Sequence, residues 1–66
     1  MKLTVNGEAR EVPAGTTVAG LLETLGLAVD RVAVERNREL VRRPAFGDTP
    51  LAEGDELEIV TLVGGG

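Results

Sequence analysis

The chain has 66 residues and contains neither cysteine nor histidine, and this combination limits the folds open to it. A domain of this length buries only about 60 % of the surface that its unfolded form exposes, so small domains commonly rely on disulfides or a structural metal. Disulfides need cysteine, and the usual structural zinc sites need cysteine or histidine. The fold must therefore be one domain stabilised by leucine, valine and isoleucine packing around a small core.

The first half of the sequence predicts a hairpin followed by one helix. Polar and apolar residues alternate over residues 2–5, and Asn6-Gly7 is a strong signal for a type I′ hairpin turn. The register of the returning strand stays open, because a two-residue turn would place charged residues on the core face. Thr17 is the predicted N-cap of the helix and Gly26 its C-terminal stop. One apolar stripe lies between them, formed by Val18, Leu21, Leu22 and Leu25.

The second half predicts short strands, an irregular loop and a final strand. Two short strands lie at residues 32–34 and 40–41 around a turn at 36–38, and Phe46, the only aromatic residue, is a predicted core residue under the loop. One set of alternating residues in the final strand fits the core: Leu57, Ile59, Thr61 and Val63. The other set faces away from it: Glu56, Glu58, Val60 and Leu62.

The outward set changes from acidic to apolar toward the end of the chain. Val60 and Leu62 therefore have two interpretations, which the sequence leaves open. Either they form an exposed patch that docks a partner, as such patches often do, or a loop or neighbouring strand covers them.

This order of elements predicts the α+β class, with one helix packed across a small mixed sheet. We expect a single folded domain over residues 1–63 and a flexible glycine tail over residues 64–66.

The overall charge argues against nucleic acid as a partner. Eleven acidic and seven basic residues give a net charge of −4, whereas phosphate binding requires a clustered positive surface. Five arginines lie between residues 31 and 43, but Glu35 and Glu39 are interleaved with them, which favours a solvated or protein-docking face. No signal-type segment or membrane-spanning apolar run is visible, so we expect no membrane association and a cytoplasmic location.

Few side chains of this sequence could support catalysis. Without cysteine or histidine the usual nucleophilic dyads and triads cannot be built. Asp55, Glu56 and Glu58 lie close together in the sequence, but in so short a chain we interpret them as a solvated acidic face. We therefore expect a protein that is not an enzyme and that binds no metal and no cofactor.

The sequence closes on Gly64, Gly65 and Gly66, directly after an apolar strand-like run. Glycine has no Cβ, so such a segment can thread a narrow channel in another protein. A carboxylate becomes reactive when an activating enzyme adenylates it with ATP, and a closed channel keeps water from the acyl-adenylate. We predict that Gly66 carries the reacting carboxylate and that Gly64 and Gly65 thread the channel. An incidental, frayed terminus is the alternative.

Together these segments resemble the ThiS family, the ubiquitin-like sulfur carrier proteins of thiamine biosynthesis, which have a β-grasp fold. The resemblance covers essentially the whole chain. It is carried by the opening Leu3-Thr4-Val5-Asn6-Gly7-Glu8, by Thr17-Val18 with Leu21-Leu22, by residues 32–37, by Glu53-Gly54-Asp55, and by Glu58-Ile59-Val60 running into residues 63–66. The turn at residues 36–38 departs from the Asn-Gly turn common in that family.

The resemblance implies a function and a set of partners. In this family an E1-like adenylyltransferase of the ThiF type activates the C-terminal glycine carboxylate with ATP. Sulfur relayed from a cysteine desulfurase converts it to a thiocarboxylate, and a thiazole synthase of the ThiG type takes that sulfur to build the thiazole phosphate of thiamine. The thiocarboxylate would form on Gly66, and the partners would contact the tail and the nearby sheet surface, where Val60 and Leu62 lie.

Three other functions stay open. The small subunit of molybdopterin synthase is also a β-grasp carrier with a Gly-Gly terminus, but its members tend to be longer and to carry prolines where this chain has Thr61-Leu62-Val63. A ubiquitin-like modifier attached to lysines of other proteins is the second. A plain binding module with an incidental tail is the third.

Overall fold

The computed structural model describes residues 1–62, and residues 63–66 lie outside that description. The predicted α+β architecture, one helix with a small mixed sheet, is confirmed over this range. Its main elements are β1 (Lys2–Val5), β2 (Glu8–Glu11), α1 (Val18–Leu25), β3 (Val32–Arg36), β4 (Glu39–Val41) and β5 (Glu56–Thr61). Short 3₁₀ helices at Val29–Arg31 and Arg43–Asp48 lie in the connections.

The hairpin of β1 and β2 has the two-residue turn that its sequence predicts. Asn6 has φ 50° and Gly7 has φ 84°, and a type I′ turn requires positive values at both positions. Val5 pairs directly with Glu8, so the register that the sequence left open is the regular one, without a bulge. Charged side chains can share the face of Val5 because β2 is an edge strand whose residues are all exposed.

The hairpin of β3 and β4 has the same turn geometry without a glycine. Asn37 and Arg38 have φ 51° and 70°, so an arginine adopts the left-handed conformation that glycine usually supplies. The predicted strands and the turn between them are confirmed, with Arg36 pairing with Glu39 across the turn.

Helix α1 begins and ends where its sequence predicts. Thr17 caps the N-terminus by accepting a hydrogen bond from the N–H of Gly20 at 3.1 Å. Gly26 adopts φ 73°, and the N–H of Leu27 donates to the carbonyl of Leu22 at 2.9 Å, which is a Schellman ending. No helix within residues 1–62 has both the length and the apolar character needed to cross a bilayer.

Buried residues of the helix, the strands and the loop after β4 pack into one hydrophobic cluster within the described range. Each buried leucine or valine contributes about 1.5–3 kcal/mol relative to an exposed one. Phe46 belongs to this core, as predicted, and its 3₁₀ helix contacts α1. The buried apolar residues are Leu3, Val5, Val12, Val18, Leu21, Leu22, Val32, Val34, Phe46, Leu51, Leu57 and Ile59.

The strand order of the sheet is β2-β1-β5-β3-β4, so β5, the last strand in sequence, is central. It runs parallel to β1 and antiparallel to β3. One expectation for this strand is wrong, because Thr61 is exposed rather than part of the core. The reason is the length of β1, which ends at Val5 opposite Leu57 and leaves Thr61 with a strand neighbour on one side only. Val63, also predicted as core, lies outside the described residues.

Candidate functional site

The central strand leads the chain out of the sheet toward its C-terminal residues. On one side, β5 is paired with β3 as far as Thr61 opposite Val32, and the N–H of Leu62 then donates to the Arg31 carbonyl at 2.7 Å. On the other side, β1 has already ended at Val5. The end of β5 is therefore held by a backbone ladder along a single edge.

The predicted tail residues Gly64, Gly65 and Gly66 lie outside the described residues, and their roles stay predictions. The last described residue is Leu62, which precedes Gly64 by two positions in the sequence.

Val60 and Leu62 are exposed, which decides between the two interpretations left open by the sequence. Val60 is 60 % and Leu62 is 46 % exposed. Side chains alternate along a strand, and Ile59 faces the core, so Val60 faces the side of the sheet away from the helix. Ala33 lies directly opposite Val60 on β3. That a partner docks here stays a prediction.

A shallow groove extends this apolar surface toward β4. Leu40 is an exposed residue of β4, and it lines the groove together with Ala33 and Leu62. We call the four residues Ala33, Leu40, Val60 and Leu62 the tail-side patch. Leu40, Val60 and Leu62 are large and exposed, and Ala33 is half-buried. Exposed apolar side chains grouped in this way are typical of surfaces that bind another protein.

The same sheet face becomes acidic farther from the tail. Glu58 lies two residues before Val60 and directly opposite Glu35 on β3, and both glutamates are exposed. Neither carboxylate belongs to an ion pair within residues 1–62. Like charges placed directly opposite each other destabilise a sheet, so this arrangement is not explained by stability. The predicted acidic face is confirmed for Glu56 and Glu58, which are both exposed.

Asp55 does not belong to that acidic face, and the interpretation is wrong for this residue. Asp55 is only 5 % exposed. Its Oδ2 accepts a hydrogen bond from the N–H of Ala52 at 2.8 Å, and its Oδ1 accepts one from Nδ2 of Asn37 at 3.0 Å. Burial acts to raise the pKa of Asp55, but these hydrogen bonds and the charge of Arg36 outweigh it, and the pKa is lowered. Asp55 is therefore an ionised, structural carboxylate.

Two asparagine side chains hold β5 from opposite sides, a feature that the sequence analysis missed. Oδ1 of Asn6 accepts the N–H of Ile59 at 2.8 Å, and its Nδ2 donates to the Ile59 carbonyl at 3.1 Å. Oδ1 of Asn37 accepts the N–H of Glu56 at 2.9 Å. The available signal was the residue type, because asparagine offers both a donor and an acceptor, whereas the glycine that also fits these turns offers neither.

The described residues supply a surface and a held strand rather than reacting side chains. No group of three or more His, Cys, Asp or Glu side chains converges in residues 1–62 in a way that could hold a metal ion. Within residues 1–62 the arrangement offers an exposed apolar patch at the end of β5.

A mixed five-stranded sheet with the last strand in its centre, hairpins on both sides and one helix across a face defines a small ubiquitin-like β-grasp domain. The crystal structure of the thiamine biosynthesis protein ThiS from Geobacter metallireducens is similar, with a TM-score of 0.85 and 39 % sequence identity over 100 % of both chains. The model of the ThiS family matches residues 3–66. The chain therefore belongs to the ThiS family.

Individual relatives fall into two groups by length. The sulfur carrier protein ThiS of Thermus thermophilus is 39 % identical over 62 residues, which cover 94 % of this chain and 95 % of that protein. A thiazole synthase of Magnetococcus marinus is 48 % identical over 66 residues, 100 % of this chain but 20 % of that protein. A thiazole synthase of Paramagnetospirillum magneticum is 47 % identical, with the same coverage. This chain thus spans about one fifth of the length of the two synthases.

Proposed function

We propose that this chain is a sulfur carrier of thiamine biosynthesis and that its Gly66 carboxylate becomes a thiocarboxylate. The observation that carries the proposal is the match of the ThiS family over residues 3–66, which includes the terminal glycines. The exposure of Val60 and Leu62 supports it, because a carrier acted on by enzymes needs a docking surface close to its reacting end.

The proposed chemistry is activation followed by replacement of oxygen by sulfur. On an E1-like adenylyltransferase of the ThiF type, a carboxylate oxygen of Gly66 attacks the α-phosphate of ATP, and pyrophosphate leaves. A persulfide from a relay linked to a cysteine desulfurase then attacks the acyl carbon, and AMP leaves with that oxygen. A second thiol of the partner attacks the resulting acyl disulfide, which frees the thiocarboxylate and leaves a disulfide on the partner. ATP belongs to the partner, and this chain supplies no catalytic side chain.

The chain's own contribution is docking and presentation. The tail-side patch would bind the activating enzyme, and β5 would direct the following residues into its active site. Gly64 and Gly65 have no side chains to obstruct a channel that excludes water from the adenylate. Because the channel accepts only residues without side chains, we propose that residues 1–63 form the folded domain and residues 64–66 the tail that enters it.

The proposed acceptor of the sulfur is a thiazole synthase of the ThiG type. Two proteins named thiazole synthase each contain a region 47–48 % identical to the whole of this chain. A carrier-like region inside such proteins supports a functional connection between the two, which for this chain would be a transient complex.

The experiment that tests the carrier function is intact mass spectrometry after incubation with a ThiF-type enzyme, ATP and a sulfur source. We expect a mass gain equal to one oxygen replaced by one sulfur, mapped to Gly66. A variant lacking Gly66 is the control and should show no gain while keeping its circular dichroism spectrum. No gain in the full chain, with an enzyme that loads a known ThiS protein, would contradict the proposal.

A growth test separates the thiamine pathway from molybdopterin synthesis. Expression of the chain in a bacterial strain that lacks its own ThiS should restore growth without added thiamine. Rescue of a strain lacking the small subunit of molybdopterin synthase, without rescue of the first strain, would assign the chain to the other pathway.

A further inference from the structure

The side chain of Asn6 takes the place of a strand residue beside β5. Its amide bonds both the N–H and the carbonyl of Ile59, at 2.8 Å and 3.1 Å, across 53 positions of sequence. A primary amide has an oxygen that accepts and an NH₂ group that donates, so one side chain can bond both the N–H and the carbonyl of a strand residue that the neighbouring backbone no longer reaches.

The hydrogen bonds along that edge of β5 show where the Asn6 side chain replaces the backbone of β1 as the bonding partner. The carbonyls of Asp55 and Leu57 accept the backbone N–H groups of Thr4 and Asn6 at 3.0 Å and 2.8 Å. At the next position of the same edge, Ile59, the backbone of β1 has turned away into the hairpin, and the Asn6 side chain supplies both bonds. Asn6 thereby extends the parallel ladder one step beyond the end of β1.

Ile59 is consequently the last described residue of β5 that is held on both edges. Beyond it, the strand is held by β3 and by the bond from Leu62 to Arg31. Gly66 follows Ile59 by seven residues, and seven extended residues span at most about 23–25 Å. Asn6 can therefore affect the terminal carboxylate, which lies within that reach, only through the position of β5 up to Leu62.

We propose that Asn6 is a positioning residue for the activation of Gly66: it holds β5 at Ile59 and so fixes the point from which the residues after Leu62 run toward ATP on the activating enzyme. This inference rests on the proposed carrier function. Asn6 does not contact the reacting atoms, so its effect must come through Ile59. A misplacement of about 1 Å in a reacting group can cost up to about 100-fold in rate, which makes such alignment measurable.

Asn37 provides a matched internal control. It occupies the same position of the other hairpin turn, with φ 51° against 50° for Asn6, and its side chain also bonds the β5 segment. Its contacts are to Asp55 and the N–H of Glu56, at the start of β5 and far in sequence from the tail. Loss of either asparagine should weaken the domain, but only loss of Asn6 should disturb the end of β5.

The test compares Asn6→Gly with Asn37→Gly, because glycine tolerates positive φ and removes only the side-chain bonds. The measurements are kcat and KM for adenylation by a ThiF-type enzyme, at a temperature where both variants are folded. We expect Asn6→Gly to lower kcat about tenfold and to change KM less, because every side chain of the tail-side patch is retained. Asn37→Gly should stay within about twofold of the unmodified chain.

A second variant and a second readout keep the test decisive. Asn6→Asp keeps an acceptor for the Ile59 N–H but sets a carboxylate oxygen against the Ile59 carbonyl, so it should also lower kcat, and it tests the proposal if the glycine variant does not fold. Amide chemical shifts and hydrogen exchange of Thr61 and Leu62, measured by NMR, should change in Asn6→Gly and not in Asn37→Gly.

The outcomes distinguish loss of the positioning role from loss of the carrier function. If the unmodified chain is adenylated and both glycine variants retain the same kcat, or Thr61 and Leu62 respond equally in both, the positioning role is overturned while the carrier function stands. If an enzyme that adenylates a known ThiS protein does not adenylate the unmodified chain, both proposals are overturned.

Discussion

Oδ2 of Asp55 lies 3.0 Å from Nε of Arg36, which joins the end of β3 to the turn that precedes β5. The contact is an ion pair, and Nε makes no hydrogen bond within the described residues. The carboxylate receives its hydrogen bonds from Ala52 and Asn37 instead. All of these partners favour the charged form, so the ionisation of Asp55 is linked to folding.

Asp55→Asn should lower the free energy of unfolding at neutral pH by about 2 kcal/mol, because it removes buried charged hydrogen bonds. The pKa of Asp55 is lower in the folded chain than in the unfolded one. Its stabilisation is therefore complete above the usual aspartate pKa of about 3.9 and is lost as pH falls below that value through the folded pKa. Urea titrations at several pH values should show the difference between the two proteins shrinking below about pH 4. A difference independent of pH would contradict this linkage.

Arg38→Gly should stabilise the chain. Arg38 has φ 70° at the second turn position between β3 and β4, where an L-residue pays a steric cost of about 1–2 kcal/mol. Glycine removes that cost but loses more entropy on folding, so we expect a net gain of about 0.5–1 kcal/mol in thermal or urea unfolding.

The equivalent position of the other hairpin supplies the reciprocal experiment. Gly7 has φ 84°, and a Cβ there would meet no atom within 4 Å, so Gly7→Ala tests the backbone conformation without a clash. It should lower the free energy of unfolding by about 1 kcal/mol. Changes of the same sign in Gly7→Ala and Arg38→Gly would show that turn conformation does not control stability at these sites.

Alanine should change the free energy of unfolding in opposite directions at Gly20, inside α1, and at Gly26, which ends it. At Gly20 a Cβ would lie 3.5 Å from Cγ2 of Thr16 and 3.6 Å from Oγ1 of Thr17, which are ordinary contacts, so Gly20→Ala should add about 0.5–1 kcal/mol through helix propensity. At Gly26, φ is 73° and alanine should cost about 1 kcal/mol. Thermal unfolding of both variants tests this, and stabilisation by Gly26→Ala would contradict the left-handed ending.

Features that depend on a few neighbouring residues could be predicted from the sequence. The turn at Asn6-Gly7, the cap at Thr17 and the stop at Gly26 each rest on local backbone preferences, and the structure confirms all three. The single helix and the mixed sheet followed from apolar periodicity. The family resemblance, also drawn from the sequence, is confirmed by the match over residues 3–66.

Features that depend on distant pairing could not be predicted. Asp55 looked like a surface acid because its main partner side chains, Asn37 in the turn after β3 and Arg36 at the end of β3, lie 18 and 19 positions away. The bonds of Asn6 to Ile59 span 53 positions. Whether Thr61 and Val60 are covered depends on where neighbouring strands end, which alternation within β5 does not reveal. For the candidate site, the sequence named Val60 and Leu62 but left their exposure open, and it named neither Leu40 nor the contacts that hold β5.

Val60→Asp should weaken binding of a ThiF-type enzyme at least tenfold while leaving the circular dichroism spectrum unchanged, because a charge would be buried in an apolar interface. Thr61→Asp is the matched control: it adds the same charge one residue nearer to the tail, at an exposed position whose side chain lies on the opposite face of β5. Titration calorimetry of both variants separates docking on the tail-side patch from general repulsion near the tail. Equal losses would show that charge near the tail matters rather than the patch, and lost secondary structure in Val60→Asp would assign Val60 a role in folding.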